Sequence, residues 1–191
     1  MEKKIFNKKF LYFFLILLSL VATIFIISKI HNNSLVSRIA PTPLSFSNQI
    51  DYQKIVPGVS SKNEVISQLG TPLIEEGNTI EYKSSSPNFN HQIIFDQEKV
   101  SFVKEIVTLK EKDTKKTQDI IKVYGEPKKM LYGPDAEAGF YLFVYPENGI
   151  AYIGHPESGM LLEIWHFPST DTENFISKYA QGYSETRQMR Q

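Results

Sequence analysis

The hydrophobic pattern opens with an uninterrupted apolar run. Phe10 to Ser28 is 19 residues without a charged side chain, preceded by Lys3, Lys4, Lys8 and Lys9 and closed by Lys29. As a helix this run is about 28 Å long, close to the roughly 30 Å hydrocarbon thickness of a bilayer. The pattern predicts a transmembrane helix over 10–28, with Phe10, Phe13, Phe14, Leu17, Val21, Phe25 and Ile27 as anchoring side chains. The lysines ahead of it hold a basic N-terminus, 1–9, in the cytoplasm, so the rest of this single-pass cell-membrane protein lies outside it. A cleaved signal peptide is the competing reading. It calls for an apolar region of roughly 7–15 residues and a small-x-small cleavage site, which Ile26-Ile27-Ser28-Lys29-Ile30 does not offer. Residues 29–49, with Ser, Asn and Pro41-Thr42-Pro43, read as an extended tether.

Further along, the apolar period changes to that of amphipathic helices and short strands. Ser61 and Glu64 have the spacing of a capping box, and Val65, Ile66 and Leu69 follow as a helical stripe ended by Gly70 and Pro72. The same punctuation returns 55 residues later: Asp119, Ile120, Ile121, Tyr124, Gly125 and Pro127 occupy the places of Glu64, Val65, Ile66, Leu69, Gly70 and Pro72. Thr114 is the expected cap of this second helix. A recurrence at fixed spacing implies duplication of one supersecondary unit.

Strands are predicted after each helix. Thr79–Lys83, Gln92–Phe95 and Phe102–Leu109 follow the first; Met130–Tyr132, Phe140–Tyr145, Ile150–Ile153 and Leu161–Phe167 follow the second. The breaks between them carry turn residues, so antiparallel hairpins are expected. A last helix, Asp171–Tyr179, has Thr170 and Glu173 at capping-box spacing. The expected fold is α+β: an N-terminal transmembrane helix, then two helix-plus-antiparallel-meander repeats packed as a two-layer domain. The first repeat spans 50–109, the second with its C-terminal helix 110–181, and 182–191 is a flexible tail.

The string Val56-Pro-Gly-Val-Ser60, Glu64-Val-Ile66, Leu69-Gly70 and Pro72 resembles the opening of the SmpA/OmlA (BamE-like) domain family. The tandem arrangement looks like the β-lactamase-inhibitor-protein-like fold. The resemblance is strong over 56–72 and extends through the strand pattern over 50–168. It implies a domain that binds other proteins and helps organise a bacterial envelope. Members of that family are usually outer-membrane lipoproteins of barrel-assembly machinery, whereas this chain has no cysteine to lipidate.

Composition narrows the chemistry. The absence of cysteine excludes disulfides, thiolate nucleophiles and Cys-ligated metals. The formal net charge is zero, but five Lys and one Glu precede residue 30. The remainder holds 16 Lys plus Arg against 20 Asp plus Glu, a balance with little attraction for nucleic acid. No Walker loop, G-x-S-x-G elbow, H-E-x-x-H or dinucleotide fingerprint occurs. His31, His91, His155 and His166 show no metal-ligand spacing, and Glu75, Glu76, Asp135 and Glu137 fall in expected loops.

Two surfaces stand out. Phe140–Tyr145 alternates so that Tyr141, Phe143 and Tyr145 share one sheet face, with Tyr152 and Trp165 on neighbouring strands. These five form either an exposed protein-binding platform or core beneath the other repeat. Lys115, Lys116, Lys128 and Lys129 cluster around the second helix, as a solvated face or as a patch for an acidic partner or anionic headgroups. The expectation is a membrane-anchored, extracytoplasmic protein-binding or scaffold module of the cell envelope. It is not an enzyme; its partners are the lipid bilayer and an envelope protein, without nucleic acid, small-molecule substrate, cofactor or metal. The alternative is an extracytoplasmic inhibitor or sensor of an envelope protease or wall hydrolase.

Overall fold

Local side-chain chemistry starts each helix. The computed structural model describes residues 52–108, 110–111 and 113–187, all within the unit Ser47–Gln191. Helix α1, Lys62–Leu69, is opened by Ser61, whose Oγ accepts the Glu64 N–H while the Glu64 carboxylate accepts the Ser61 N–H at 2.6 Å. Gly70, at φ 83°, ends it. Helix α2, Thr117–Tyr124, begins later than a Thr114 cap predicts: the Thr114 hydroxyl donates to the Glu111 carbonyl, and Asp119 accepts the Lys116 N–H at 3.1 Å. Helix α3, Thr172–Tyr179, is capped one residue on from the expected Thr170. The Asp171 carboxylate accepts the Asn174 N–H at 2.8 Å, a stronger acceptor than a hydroxyl for the orphan donors there.

Four strands follow α1: β1 Ile74–Glu76, β2 Thr79–Lys83, β3 Asn90–Asp96 and β4 Lys99–Ile106. Four follow α2: β5 Lys129–Leu131, β6 Tyr141–Tyr145, β7 Ile150–Gly154 and β8 Leu161–His166. Strand β1 escaped the pattern because all three of its residues are exposed, which leaves no apolar alternation to read. The two antiparallel meanders meet edge to edge through β4 and β8. They make one eight-stranded sheet of order β1-β2-β3-β4-β8-β7-β6-β5, with Val103 opposite His166 and Glu105 opposite Ile164 at the seam.

This architecture corrects the expected fold class. The protein is mostly a single eight-stranded antiparallel sheet with three short helices among the described residues, rather than a membrane helix followed by two meanders stacked as layers. Pairing the last strand of each meander hides two open edges in backbone hydrogen bonds, which stacking would leave exposed. Among the described residues no helix is long and apolar enough to cross a membrane. The single-pass placement and the bilayer contact therefore find no support. The segment 10–28, with Phe10, Phe13, Phe14, Leu17, Val21, Phe25 and Ile27, lies outside the described residues.

Cross-strand partners share a face, so the registers sort the core. On one face α1 places Val65 against Ile80, Ile93, Phe95 and Val103, and α2 places Ile120 against Phe143, Tyr152 and Ile164. On the opposite face α3 buries Phe175 against Leu142, Val144, Trp165 and Phe167. Residues 182–187, expected within a loose tail, are tied down as well. Tyr183 packs edge-on to Trp165 at 5.7 Å, and Ser184 bridges Tyr132.

The duplication survives in detail. Tyr82 on β2 donates its hydroxyl to the carbonyl of Gly70 at 3.0 Å, and Tyr145 on β6 donates to that of Gly125 at 2.8 Å. Each tyrosine ties the end of a helix to the second strand of its meander. The glycines and the first strands are 55 residues apart, the tyrosines 63. The added length carries the 3-10 turn Pro134–Ala138. Burial pushes the Tyr145 hydroxyl up to about 12, so it remains a donor. Tyr82→Phe and Tyr145→Phe are each expected to cost about 1 kcal/mol, additively in the double variant because the sites share no partner. Thermal and urea denaturation measure both.

Candidate functional site

A charged residue stands where the pattern of β4 calls for an apolar one. Val103, Glu105 and Val107 point to the face that carries α1 and α2, and Glu105 is only 6% exposed. An isolated buried carboxylate is costly unless paired, and this one is paired twice. Lys115, arriving from the segment before α2, contacts one carboxylate oxygen, and Nε2 of His166 lies 3.3 Å from the other. His166, on β8, is itself 1% exposed. The pair therefore bridges the seam between the two meanders.

The network continues outward. Lys115 also binds Glu111 at 3.0 Å. Glu111 accepts the N–H of Thr108 at 3.1 Å and its hydroxyl at 2.9 Å. Thr108 in turn accepts from the Ser85 hydroxyl at 2.8 Å. Ser85, Thr108, Glu111, Lys115, Glu105 and His166 thus form one continuous polar chain from the β2–β3 loop to the sheet centre. Burial by itself would raise the Glu105 carboxyl, but the hydrogen bonds from His166 and Lys115 outweigh it and hold the group below the usual carboxylate range. Burial acts likewise on Glu111, and its bonds to Thr108 and Lys115 bring it down. Lys115 loses basicity to burial and regains more from Glu105 and Glu111, so its ammonium is favoured. With His166 enclosed, no substrate atom reaches its ring in this conformation, and the arrangement acts as a tie.

At the outer end of this chain lies a groove. Its floor is Ile106, Val107 and Leu162, where β4 ends and β8 begins; Met160, Pro87 and Phe89 form its walls, and Lys110 and Asp135 stand on its lips. Its volume is 470 Å³ and its lining is mostly apolar. Phe89 is 62% exposed, yet its loop is held. The buried Ser84 hydroxyl accepts the Ser86 N–H at 2.9 Å and donates to the Phe89 carbonyl. On the sheet face opposite Tyr82 and His91, Glu81 accepts from Asn90 at 2.9 Å and Gln92 at 2.7 Å. The stack of Tyr179 on Phe102, at 5.3 Å, marks where α3 reaches the first meander.

The residues singled out from the sequence are placed differently. Tyr141, Phe143, Tyr145 and Tyr152 lie beneath α2, where Phe143 stacks on Tyr152 at 5.0 Å. Trp165 sits on the opposite face under α3 and donates to Glu163 at 2.7 Å. All but the half-buried Tyr141 are buried, so the aromatic platform is core: α2 covers one face and α3 the other. The lysines do not act together either. Lys115 serves the buried network, Lys128 pairs with Glu147 at 3.4 Å and Lys129 with Glu185 at 2.8 Å, while Lys116 is exposed at the start of α2. His155 accepts the Ser158 N–H in its turn. Among the described residues no group of His, Asp and Glu is placed to hold a metal. Glu105 was missed, although a charge on the inward register of an apolar strand was its signal; His166, which shows no metal-ligand spacing in the sequence, is the buried partner of Glu105.

No family model matches this chain, and no curated protein matches it. Among solved structures it is similar to a DUF4309 family protein (YjgB) from Bacillus subtilis subsp. subtilis str. 168. The identity is 11%, over 60% of this chain and 82% of that one, with a TM-score of 0.44. A likeness at this level assigns no function.

Glu105→Gln leaves Lys115 and His166 facing a neutral amide and is expected to lower stability at neutral pH by about 3 kcal/mol. The sign of the acid response follows from depressed folded values. Glu105 and Glu111 contribute stability above the unfolded glutamate range, near roughly 4.3, and lose it as pH falls through their lower folded values. His91, lowered chiefly by burial, contributes above roughly 6.5 and loses its share as pH falls through its own folded value. Thermal midpoints measured from pH 7 to pH 3 should fall in two stages, and Glu105→Gln should flatten the second.

Proposed function

We propose that this domain is a polypeptide-binding module, without catalysis of its own, that takes an apolar side chain of its partner into the groove beside Phe89. The observation that carries the reading is this aromatic ring held largely in solvent over a mostly apolar cleft. Leaving it exposed costs roughly 1.5–3 kcal/mol relative to burial, and the Ser84 hydrogen bonds keep the loop from folding it away. A rigid aromatic beside an apolar cleft, with charges at the lips, has the anatomy of an interface hot spot and its polar rim. The preset loop lowers the ordering cost of association. The coupling of Ser85 to Thr108 ties the groove wall to the polar chain that ends at the seam, so the recognition loop is anchored to the most buried part of the sheet.

A photo-cross-linking residue placed at Phe89 in the full chain, in cells, is expected to capture a protein that the same residue at exposed Val123 on α2 does not. Equal labelling at the two positions would reject the reading. With that partner in hand, Phe89→Ala should weaken binding by about tenfold without changing the thermal midpoint.

A further inference from the structure

A second cavity, of 460 Å³, lies at the far side of the first meander between the end of α1 and strands β2 and β3. One wall is apolar, from Leu69, Pro72 and Leu73; the other carries Tyr52, Tyr82, His91 and Lys83. Tyr52 and His91 pack with ring centroids 5.2 Å apart. The Tyr82 hydroxyl is committed to Gly70. His91 is fixed in one form by the sheet: its Nδ1 accepts the backbone N–H of Ile106 at 3.1 Å, so the ring proton sits on Nε2. Burial pushes the imidazole down, which keeps it neutral. Among the described residues the His91 ring is hydrogen-bonded at Nδ1 alone, and no acidic side chain lines the cavity. Glu105 and Glu111 lie behind His91, both engaged by Lys115.

The duplicated half shows that this wall is a local departure. Tyr145, the counterpart of Tyr82, faces Ile150 across the strand pair, as Tyr82 faces His91. Ile150 is wholly buried under α2, whereas His91 is only partly buried beside the cavity. One copy closes this position with an aliphatic core residue, and the other opens it with a hydrogen-bond donor.

We infer that this cavity is a binding site for a small monocarboxylate with an apolar or aromatic body. The acid would receive the Tyr52 hydroxyl and His91 Nε2–H, with the body against Leu69, Pro72 and Leu73; the Lys83 side chain leaves β2 on the face opposite Tyr82 and His91 and would reach the acid around the end of the strand. Three donors without an acidic residue select an anion, and the apolar wall rejects inorganic anions. The inference does not depend on the groove beside Phe89, which is lined by a different set of residues.

The probes are 3-phenylpropionate, its neutral counterpart 3-phenylpropanol, and acetate, titrated into the purified full chain by calorimetry and saturation-transfer NMR. Saturable binding of phenylpropionate is expected, with phenylpropanol and acetate each about tenfold weaker or more. Lys83→Met, at an exposed position, and Tyr52→Phe, which removes one oxygen, should each weaken phenylpropionate by about five- to tenfold. Neither should change phenylpropanol binding or the thermal midpoint. No binding of phenylpropionate to the folded chain, equal binding of the alcohol, or indifference to both variants would each overturn the inference. Acetyl-glycyl-phenylalanine, free and amidated, separates the two sources of such a group. Tighter binding of the free peptide than of phenylpropionate assigns the site to a polypeptide terminus; weaker binding assigns it to a small acid.

Discussion

The pairing of β4 with β8 is the contact on which the molecule depends. Each meander alone would present two open edges and a sheet too small to bury its own faces. Joined at their last strands, they leave only β1 and β5 as edges, three residues each and carrying Glu75, Glu76 and Lys129. Short, charged edges resist further pairing. The join also creates the sheet centre, and there the protein places Glu105 and His166 on opposite sides of the seam. Two apolar residues would pack at least as well. The hydrogen-bonded pair instead ties each strand to the other, and Lys115 joins it to Glu111.

Duplication supplies the scaffold, and the sites arise where the copies differ. Both halves keep the helix, the glycine stop, the tyrosine that clamps it and the meander. They differ in the loop between their second and third strands. In the first half it presents Phe89; in the second, Gly149 sits so close to the backbone that a Cβ would lie 2.2 Å from the Phe167 carbonyl oxygen. They differ in cover, since α3 packs mainly on the second half. They differ at His91 and Ile150. A symmetric scaffold with asymmetric decoration lets one half be core while the other keeps open surface for recognition.

What was legible beforehand was local. Ser61 and Glu64 lie one helical turn apart, and a capping box needs nothing beyond that turn. Thr79–Lys83 was readable because β2 alternates buried and partly exposed positions. Where competing local bonds existed, reading slipped by a residue or two: Thr114 turned to the Glu111 carbonyl, and Asp171 displaced Thr170. The aromatic strand was recognised as special, but its role was not, because whether Tyr145 and Trp165 face water depends on which helix lands on which face.

Residue order by itself determined the helix caps and stops, the internal repeat, the turn positions and the lack of thiol chemistry, because each rests on neighbours within a few residues. The tertiary structure alone decided that two meanders share one sheet, that Glu105 meets His166 across 61 residues of chain, and that Tyr52, Lys83 and His91 line one cavity. Those outcomes turn on the burial of whole faces and the pairing of distant edges. That free energy is spread over many residues, and no single stretch of sequence carries it.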